Sequence, residues 1–349
     1  MLMGGIDKLD LKIPLSTKRT VWFESLYHDV LRLNSGKPSK SYARVYDLRP
    51  YGVEALLHYR CRYDHHSKLE LLSVQCMSAL QIRSQVQELF ECDADLLKVM
   101  RLDLFADVFD FPVWWFRRNA RIERKRTIEE WGPQGQLENL CSVSSLERGI
   151  ETLYFGTRPT LFRIYDKGST LRAEHARELA AAPPEVEAPT FEQRFGHAEN
   201  RVRTRVEHQL VGKRVPETLR VLGALFANAM AYDPFSRLLL SPLNETPPPM
   251  TGNAAEYLQC LGLMSLVKER GRAATVSMLN RASKGNAARF IHKLDTFATS
   301  RDVQIPDLVG AYRGGVALQL VDEGDSFRVK ETHKAISAEE TESYSCSLY

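Results

Sequence analysis

The sequence predicts an α+β fold in which a sheet rich in antiparallel strands carries helices on one face and is followed by a small helical region. Three observations predict it. Residues 99–108 and 200–210 alternate apolar and polar side chains, which is typical of strands with one buried face. Helical segments separate the strands along the first 230 residues. Beyond the prolines at 247–249 the pattern is almost entirely helical. One sheet or two would satisfy these observations.

The predicted elements follow a regular order. The predicted strands cover 6–13, 42–47, 56–63, 99–108, both arms of a hairpin within 151–166, and 200–210. The predicted helices cover 22–33, 78–90, 170–182, a segment that begins at Pro216, 254–268, 273–282 and 286–297. Proline sets two of these bounds, since it cannot continue a helix at 183 and suits the first turn of a helix at 216. The helix from Pro216 has an apolar stripe of Leu219, Leu222, Phe226, Ala229 and Met230, and a short strand is expected at 316–321.

Composition places the chain among ordinary globular proteins, with 44% hydrophobic and 26% charged residues. No apolar stretch approaches eighteen residues, so neither a signal peptide nor a membrane span is expected. The six cysteines are scattered without a Cys-x-x-Cys pair, which argues against a disulfide framework or a zinc site and favours the cytoplasm. Three regions are expected: a sheet domain at 1–245, a helical domain at 250–320, and an acidic, disordered tail at 321–349.

Charge is distributed unevenly along the chain. The net charge is +3, but the residues from Asp322 onward carry −4, so the rest of the chain carries +7. Six basic residues directly follow a group of five aromatic ones. The basic residues are Arg117, Arg118, Arg121, Arg124, Lys125 and Arg126, and the aromatic ones are Phe109, Phe111, Trp114, Trp115 and Phe116. Basic and stacking side chains together suit a strand of nucleic acid. The alternative is a solvated helix face whose preceding aromatic side chains are core.

Tyr165 lies between two cations on one face of a predicted strand. Side chains alternate faces along a strand, so Arg163, Tyr165 and Lys167 are expected to point the same way. Cations beside a tyrosine favour its anionic form and attract a phosphate group. The sequence therefore predicts a phosphodiester site with Tyr165 as a candidate nucleophile, its pKa lowered by Arg163, Lys167 and a metal ion.

The polar faces of two further strands supply acids. Asp103 and Asp107 lie on one, and Glu207 lies on the other beside Arg205. If these strands are neighbours of the tyrosine strand, their carboxylates come within reach of one hard cation. Asp103 and Asp107 are about 13 Å apart along a regular strand, so one of them at most joins Glu207 as a ligand. The alternative is that arginine and glutamate pair across an exposed sheet face, with Tyr165 at its edge.

Four segments also carry a family resemblance. They are Leu-Tyr-Phe-Gly-Thr-Arg at 153–158 followed by Arg-Ile-Tyr-Asp-Lys-Gly at 163–168, Arg-Leu-Asp-Leu-Phe-Ala-Asp-Val at 101–108, Arg-Val-Glu at 205–207 with Val-Pro at 215–216, and Gly-Ile-Asp-Lys-Leu at 5–9. In motifs and order they resemble the rolling-circle replication initiation factor family of filamentous phages and small plasmids. The resemblance covers about residues 5 to 230 and implies an HUH/RRM-like initiator fold, single or duplicated.

The resemblance implies metal-dependent nicking and rejoining of a replication origin through a 5′-phosphotyrosine intermediate, which frees a 3′-hydroxyl primer. Tyr165 is the implied nucleophile and Lys167 a phosphate contact, with Mg²⁺ or Mn²⁺ as cofactor. The implied metal set is Asp103, Asp107 and Glu207, and the implied DNA contacts are Arg158, Arg163 and Arg205 with the six basic residues at 117–126. The expected partners are double-strand origin DNA, single-stranded DNA, and the host replication helicase and polymerase, with a homodimer left open.

The chain departs from the family pattern at two places. Members often carry Glu or Gln three residues after the lysine, where this chain has Thr170, and the nearest acid is Glu174. Related nickases use two histidines separated by one hydrophobic residue, whereas this chain has only the adjacent His65 and His66. Adjacent residues on a strand face opposite ways, so these two are interpreted as loop residues.

Other functions remain open. A conjugative relaxase would use the same chemistry with different partners, and Thr170 leaves room for a non-catalytic regulator that binds an origin or operator. A structural protein unrelated to DNA would leave the basic runs unexplained. The helices at 273–282 and 286–297 have helix-turn-helix spacing with Arg281, Lys284, Arg289 and Lys293 available, so the 250–320 region is a candidate for DNA recognition or assembly, although simple packing explains the pattern too.

Overall fold

The computed structural model describes eleven stretches of the chain: 3–14, 41–49, 53–64, 66–90, 92–122, 152–157, 160–181, 189–242, 253–282, 286–297 and 304–321. Several predictions fall outside them. These are the helix at 22–33, the prolines at 247–249, the tail from 322 onward, and the side chains of Arg124, Lys125, Arg126, Arg158 and Lys284.

Eight strands form one antiparallel sheet. The strands are β1 (Gly4–Pro14), β2 (Tyr42–Asp47), β3 (Ala55–Cys61), β4 (His66–Leu71), β5 (Lys98–Phe109), β7 (Thr152–Thr157), β8 (Thr160–Asp166) and β9 (Arg203–Val211), while β6 (Ala120–Ile122) and β10 (Leu238–Leu240) pair separately. The order across the sheet is β2-β3-β4-β1-β5-β9-β8-β7, and every neighbouring pair is antiparallel. The two longest predicted strands, at 99–108 and 200–210, are β5 and β9 at its centre.

Helices follow the strands along the chain. They are α1 (Ala79–Phe90), α2 (Val113–Asn119), α3 (Lys167–Ala181), α4 (Phe191–Phe195), α5 (Leu222–Asn228), α6 (Ala254–Arg270), α7 (Arg272–Ala282), α8 (Ala287–Phe297) and α9 (Leu308–Leu320). The predicted α+β class, with a large antiparallel sheet and helices toward the C-terminus, is confirmed. Among the described residues no helix is both long and apolar enough to cross a membrane.

Alternation along β5 and β9 separates an apolar face of the sheet from a polar one. Leu102, Leu104 and Ala106 of β5 are buried in the main core, as are Val206 and Leu210 of β9. The intervening side chains of both strands, which are largely charged, lie on the opposite face. One face of the sheet is therefore committed to packing, and the other is left for polar chemistry.

Three local predictions were wrong, and one predicted helix is present but starts earlier than expected. His66, expected in a loop, begins strand β4 and is buried with Nδ1 3.0 Å from Oδ2 of Asp64. The helix expected from 170 begins at Lys167, directly after β8. The helix expected from Pro216 is a 3₁₀ turn at Glu217–Leu219 followed by α5, which leaves Met230 outside the apolar stripe. The strand expected at 316–321 falls largely within α9.

Helix α9 packs against the sheet, away from the other C-terminal helices. Its Leu308, Tyr312 and Val316 belong to the main core. The amide of Gln319 accepts a hydrogen bond from the backbone N–H of Ile6 (2.8 Å) and donates one to the carbonyl of the same residue (3.1 Å). By contrast, α6, α7 and α8 share a core of their own, made of Leu263, Met264, Val267, Val276 and Leu294. The predicted 250–320 segment therefore packs in two separate places.

Candidate active site on the polar face of the sheet

The site lies where β5, β9 and β8 run side by side. Glu207 of β9 is directly opposite Phe105 of β5 on one side and Arg163 of β8 on the other. Two residues along, Arg205 is opposite both Asp107 and Tyr165. The predicted adjacency of the three polar strand faces is thus present, with the Arg-x-Glu strand in the middle.

Glu207 links the tyrosine to an arginine. The hydroxyl of Tyr165 donates a hydrogen bond of 2.5 Å to Oε1 of Glu207. The guanidinium of Arg163 donates to the other carboxylate oxygen, Oε2, through Nη2. The carboxylate is 1% exposed, whereas the side chain of Arg163 is 29% exposed. A buried carboxylate therefore bridges the candidate nucleophile and a cation that reaches the surface.

Burial dominates the proton affinities of this pair. It raises the pKa of Glu207, against the opposing effect of Arg163. Burial also raises the pKa of Tyr165, and the charge of Glu207 adds to that shift while Arg205 opposes it. The sequence-based expectation that cations lower the pKa of Tyr165 was wrong, because it neglected burial and the carboxylate that the fold places against the hydroxyl. The phenol is protonated at rest and has a base in contact with it.

Lys167 lies two residues beyond Tyr165, in the first turn of α3 instead of the strand. Burial lowers the pKa of its ammonium group, and the charge of Arg205 adds to the effect. Within the described part of the chain it forms no salt bridge. Thr170, the position that departs from the family pattern, is exposed, and its hydroxyl donates 3.4 Å to the carbonyl of Asp166. Its hydroxyl is used within the first turn of its own helix.

Asp107 is enclosed by two buried arginines. Arg205 donates to it through Nε (2.6 Å) and Nη2 (2.9 Å), and Arg203 donates through Nε (3.0 Å). All three side chains are at most 1% exposed. Arg205 also reaches Asp7 of β1 at 2.8 Å and lies 3.9 Å from the centroid of the Phe105 ring. The two arginines therefore neutralise the charge of Asp107.

Asp103 is held in a similar way. Arg101 donates to both of its oxygens, at 3.0 Å from Nε and 2.6 Å from Nη2. The amide of Gln209, opposite Asp103 on β9, lies 3.4 Å from the carboxylate. Asp103 is fully buried, and Arg163 is 3.9 Å away. Its carboxylate is neutralised by arginine, as that of Asp107 is.

This arrangement does not fit the metal site expected for Asp103, Asp107 and Glu207. Every oxygen of the three carboxylates already accepts a hydrogen bond from arginine or tyrosine, whereas Mg²⁺ and Mn²⁺ take carboxylate oxygens as direct ligands. Across the described ranges no three His, Cys, Asp or Glu side chains group into a metal site. The pairing of arginine with acid across the sheet agrees with the alternative interpretation, but the paired carboxylates are buried, whereas that interpretation placed them on an exposed face. An ion here would require arginines to move away.

The basic segment is only partly a surface for nucleic acid. Arg118 lies over the ring of Trp114 at 5.0 Å, and Trp114 is 51% exposed, which suits stacking. Phe116, however, is fully buried. Arg121 binds Asp295 of α8 at 3.0 Å, so that its charge serves a contact within the protein. Arg117 precedes it in the last turn of α2.

The helix-turn-helix candidates show a similar division. Lys293 of α8 forms a 2.8 Å salt bridge with Glu256 of α6, which supports the packing interpretation for that residue. Arg281 and Arg289 are exposed.

Sequence reasoning missed Asp7, Gln209 and Phe105 as parts of the site. Asp7 lies at a β-bulge between Ile6 and Lys8, where the register of β1 against β5 shifts. A bulge of this kind leaves no signal in a single sequence. Phe105 lies on the same face of β5 as Asp103, and Gln209 lies on the same face of β9 as Glu207, so the alternation along the two strands was a signal that could have identified them.

Comparison with known proteins identifies no family for this chain. No protein-family model matches it, and no curated protein matches it. Among solved structures, it is similar to a rolling circle replication initiator protein from Geobacillus stearothermophilus. The two share 15% sequence identity with a TM-score of 0.38, over 78% of this chain and 99% of the other.

Proposed function

We propose that the protein is a DNA replication initiator that nicks and rejoins a rolling-circle origin through Tyr165. The observation that carries this proposal is the hydrogen bond from the Tyr165 hydroxyl to Glu207, a buried carboxylate whose other oxygen is bound by Arg163. A nucleophile, a base in contact with it and a group that orients the base are the components of an activated hydroxyl. The resemblance of the strand motifs to replication initiation factors supplies the substrate class.

The proposed step transfers a phosphoryl group without loss of atoms or charge. The Tyr165 oxygen attacks the phosphorus, and its proton passes to Glu207. The bond from phosphorus to the 3′ oxygen breaks, leaving a 5′-phosphotyrosine and a 3′-hydroxyl. Lys167, two residues away and with a lowered pKa, supplies the proton that the 3′ oxygen takes up. The reverse sequence of transfers rejoins a strand.

Three cations stabilise the phosphate in this proposal. Arg163 and Lys167 flank Tyr165 in sequence, and the partly exposed Arg163 is the one suited to direct contact. Arg205 is buried against Asp107 and Phe105, so it contributes through its field. Because the phenol has a raised pKa, the proton must leave during attack, which makes Glu207 essential.

The test is adduct formation on supercoiled DNA carrying the candidate origin, measured with Mg²⁺, with Mn²⁺ and with chelator. Wild-type protein is expected to give a covalent 5′-phosphotyrosine adduct and Tyr165→Phe none. Tyr63→Phe is the matched control, because the Tyr63 side chain is 82% exposed outside the site. An adduct that survives in Tyr165→Phe would refute the assignment and direct attention to Tyr154, opposite Arg163 on β7.

The second candidate is a non-catalytic regulator that binds origin or operator DNA. The pairing of Asp103, Asp107 and Glu207 with arginine favours it, since these ion pairs can hold the strands together in a protein that catalyses no reaction. Sequence-specific DNA binding without adduct under any of the three conditions would support this candidate. A conjugative relaxase would give the adduct on a transfer origin instead of a replication origin.

The setting of the proposed reaction is the cytoplasm. Its proposed partners are double-strand origin DNA, the single strand exposed there, and the host helicase and polymerase that extend the 3′-hydroxyl. The proposed cofactor is Mg²⁺ or Mn²⁺, and the three carboxylates would have to exchange arginine for the ion to hold it.

A further inference from the structure

A cavity opens on the polar face of the sheet beside the candidate active site. Its volume is about 480 Å³, within the usual range for ligand pockets. Six strands contribute to it, through Asp10 of β1, Lys68 of β4, Arg101 of β5, Tyr154 of β7, Arg163 of β8 and Gln209 of β9. Arg163 belongs to the cavity and to the Glu207 contact alike. The cavity thus adjoins Tyr165 through one shared arginine.

Among the residues that the structure describes, two buried polar atoms of this lining find no hydrogen-bond partner. One is Oδ1 of Asp10, an acceptor on a residue only 6% exposed. The other is Nε of Arg163, a donor. Oδ2 of Asp10 does have a partner, the ammonium of Lys68 at 3.2 Å. Buried donors and acceptors are rarely left unpaired, because each costs free energy comparable to a lost hydrogen bond. Both residues line the cavity, so a polar ligand bound there would offer new hydrogen-bond partners to their side chains.

The chemistry of the lining selects among ligands. Asp10 is a carboxylate that accepts hydrogen bonds, whereas Lys68, Arg101 and Arg163 only donate. Tyr154 adds an aromatic ring on which a planar ligand can stack. Guanine is the nucleobase that offers acceptors, N7 and O6, and two kinds of donor, N1–H and the N2 amino group. Thymine and cytosine offer fewer groups, and adenine offers a donor where guanine has O6.

We propose that this cavity binds a guanine base, with Asp10 accepting from its N1–H and N2 amino groups, the arginines donating to O6 and N7, and Tyr154 against its face. Resting on the function proposed above, the base belongs to a nucleotide flanking the phosphate attacked by Tyr165. Tyr165 and Arg163 are two residues apart on one face of β8, about 7 Å. Base recognition would then set where the strand is cut.

The test measures binding of the four deoxynucleoside monophosphates to the full chain in both the wild-type and Tyr165→Phe forms, by ligand-observed NMR. The guanine nucleotide is expected to bind about tenfold more tightly than the other three in both forms. Asp10→Asn is expected to weaken guanine binding about tenfold. Glu192→Gln, which removes an exposed carboxylate outside the site, is expected to have no effect. Equal affinity for the four nucleotides, or an unchanged affinity in Asp10→Asn, would overturn the proposal.

Two further measurements complete the test. If Asp10→Asn fails to fold, photo-crosslinking of 8-azido-deoxyguanosine monophosphate to wild-type protein replaces it, with modification expected in peptides containing Met100 or Tyr154, which line the cavity. Modification elsewhere would overturn the site. A short strand containing guanine is expected to displace the mononucleotide, and failure to do so would overturn the assignment to DNA.

The two proposals fail separately. Guanine-selective binding without adduct formation refutes only the nicking reaction. Adduct formation without any effect of Asp10→Asn on base preference refutes only the guanine site.

Discussion

The hydroxyl of Tyr165 on β8 donates a hydrogen bond of 2.5 Å to the carboxylate of Glu207 on the neighbouring strand β9. Burial raises the pKa of both groups, so neither is ionised as readily as a free side chain. In the proposed reaction, a protonated phenol in contact with a carboxylate is poised to transfer its proton as the tyrosine attacks.

Replacement of Glu207 tests the role of the base. With Glu207→Gln, we expect adduct formation to slow by about 100-fold or more, the usual contribution of general base catalysis. In the wild type the rate should rise with pH through a range above the ordinary one for glutamate, because Glu207 must lose its proton and its pKa is raised. The measurement is the single-turnover rate of adduct formation across pH. Glu217→Gln, at an exposed position, is the control. An unchanged pH profile in Glu207→Gln would show that another group controls the rate.

Because Asp107 is paired with two arginines, we expect its replacement to lower the stability of the fold and to leave metal binding unaffected. Asp107→Asn removes the buried carboxylate that Arg203 and Arg205 share, so we expect the free energy of unfolding to fall by about 3 kcal/mol or more. Asp110→Asn is the matched control. Its carboxylate is 65% exposed in a pair with Arg201, and the effect should be within about 1 kcal/mol. Urea unfolding in the presence of chelator measures both.

The same experiment with added Mg²⁺ separates the two roles of Asp107. A structural ion pair predicts no gain in the stability of the wild type. A clear gain that Asp107→Asn abolishes would instead establish Asp107 as a metal ligand.

His208 predicts how stability depends on pH. Its ring is 3% exposed and stacks on Phe162 with centroids 4.1 Å apart, and burial lowers its pKa to about 3. The unfolded chain, with an ordinary histidine pKa near 6.5, binds the proton more readily. The free energy of unfolding therefore suffers no loss from His208 above about pH 6.5. It falls as the pH is lowered from there toward 3, and the loss due to His208 is about 2 kcal/mol at pH 5. Urea unfolding above about pH 6.5 and at pH 5 measures this loss.

His208→Leu should remove most of this difference. His292→Gln, at an exposed position, should retain it. Equal pH dependence in wild type and His208→Leu would mean that other groups carry the effect.

The sequence alone was sufficient for the centre of the sheet but insufficient for the contacts within the site. Period-2 alternation predicted β5 and β9, whereas the adjacency that brings Tyr165 beside Glu207 was only a condition of the predicted site and is established by the strand pairing. Which acid pairs with which arginine depends on strand register and on the bulge near Asp7, and neither is encoded in a local pattern. The helical start at Lys167 was missed for a similar reason, since the strand pattern runs directly into it.

The location of α9 is the largest difference from the sequence-based expectation, and two adjacent glycines test it. A β-carbon on Gly315 would lie 1.8 Å from the carbonyl oxygen of Gly4 in β1, so the helix can approach the strand only with glycine there. Gly314 has no atom within 4 Å of that position.

We therefore expect Gly315→Ala to lower the free energy of unfolding by about 2 kcal/mol or more through overpacking. Gly314→Ala should raise it by about 0.5 to 1 kcal/mol, because alanine favours the helix. Urea unfolding of both variants gives the comparison. Equal stability of the two glycine variants would mean that α9 does not pack against β1.

Deletion of residues 250–349 is a second test of the same packing. Because Tyr312 and Val316 of α9 are part of the main core, this deletion should unfold the sheet as well as remove α6 to α8. A sheet that stays folded after the deletion would mean that the helical region can be removed as a separate domain.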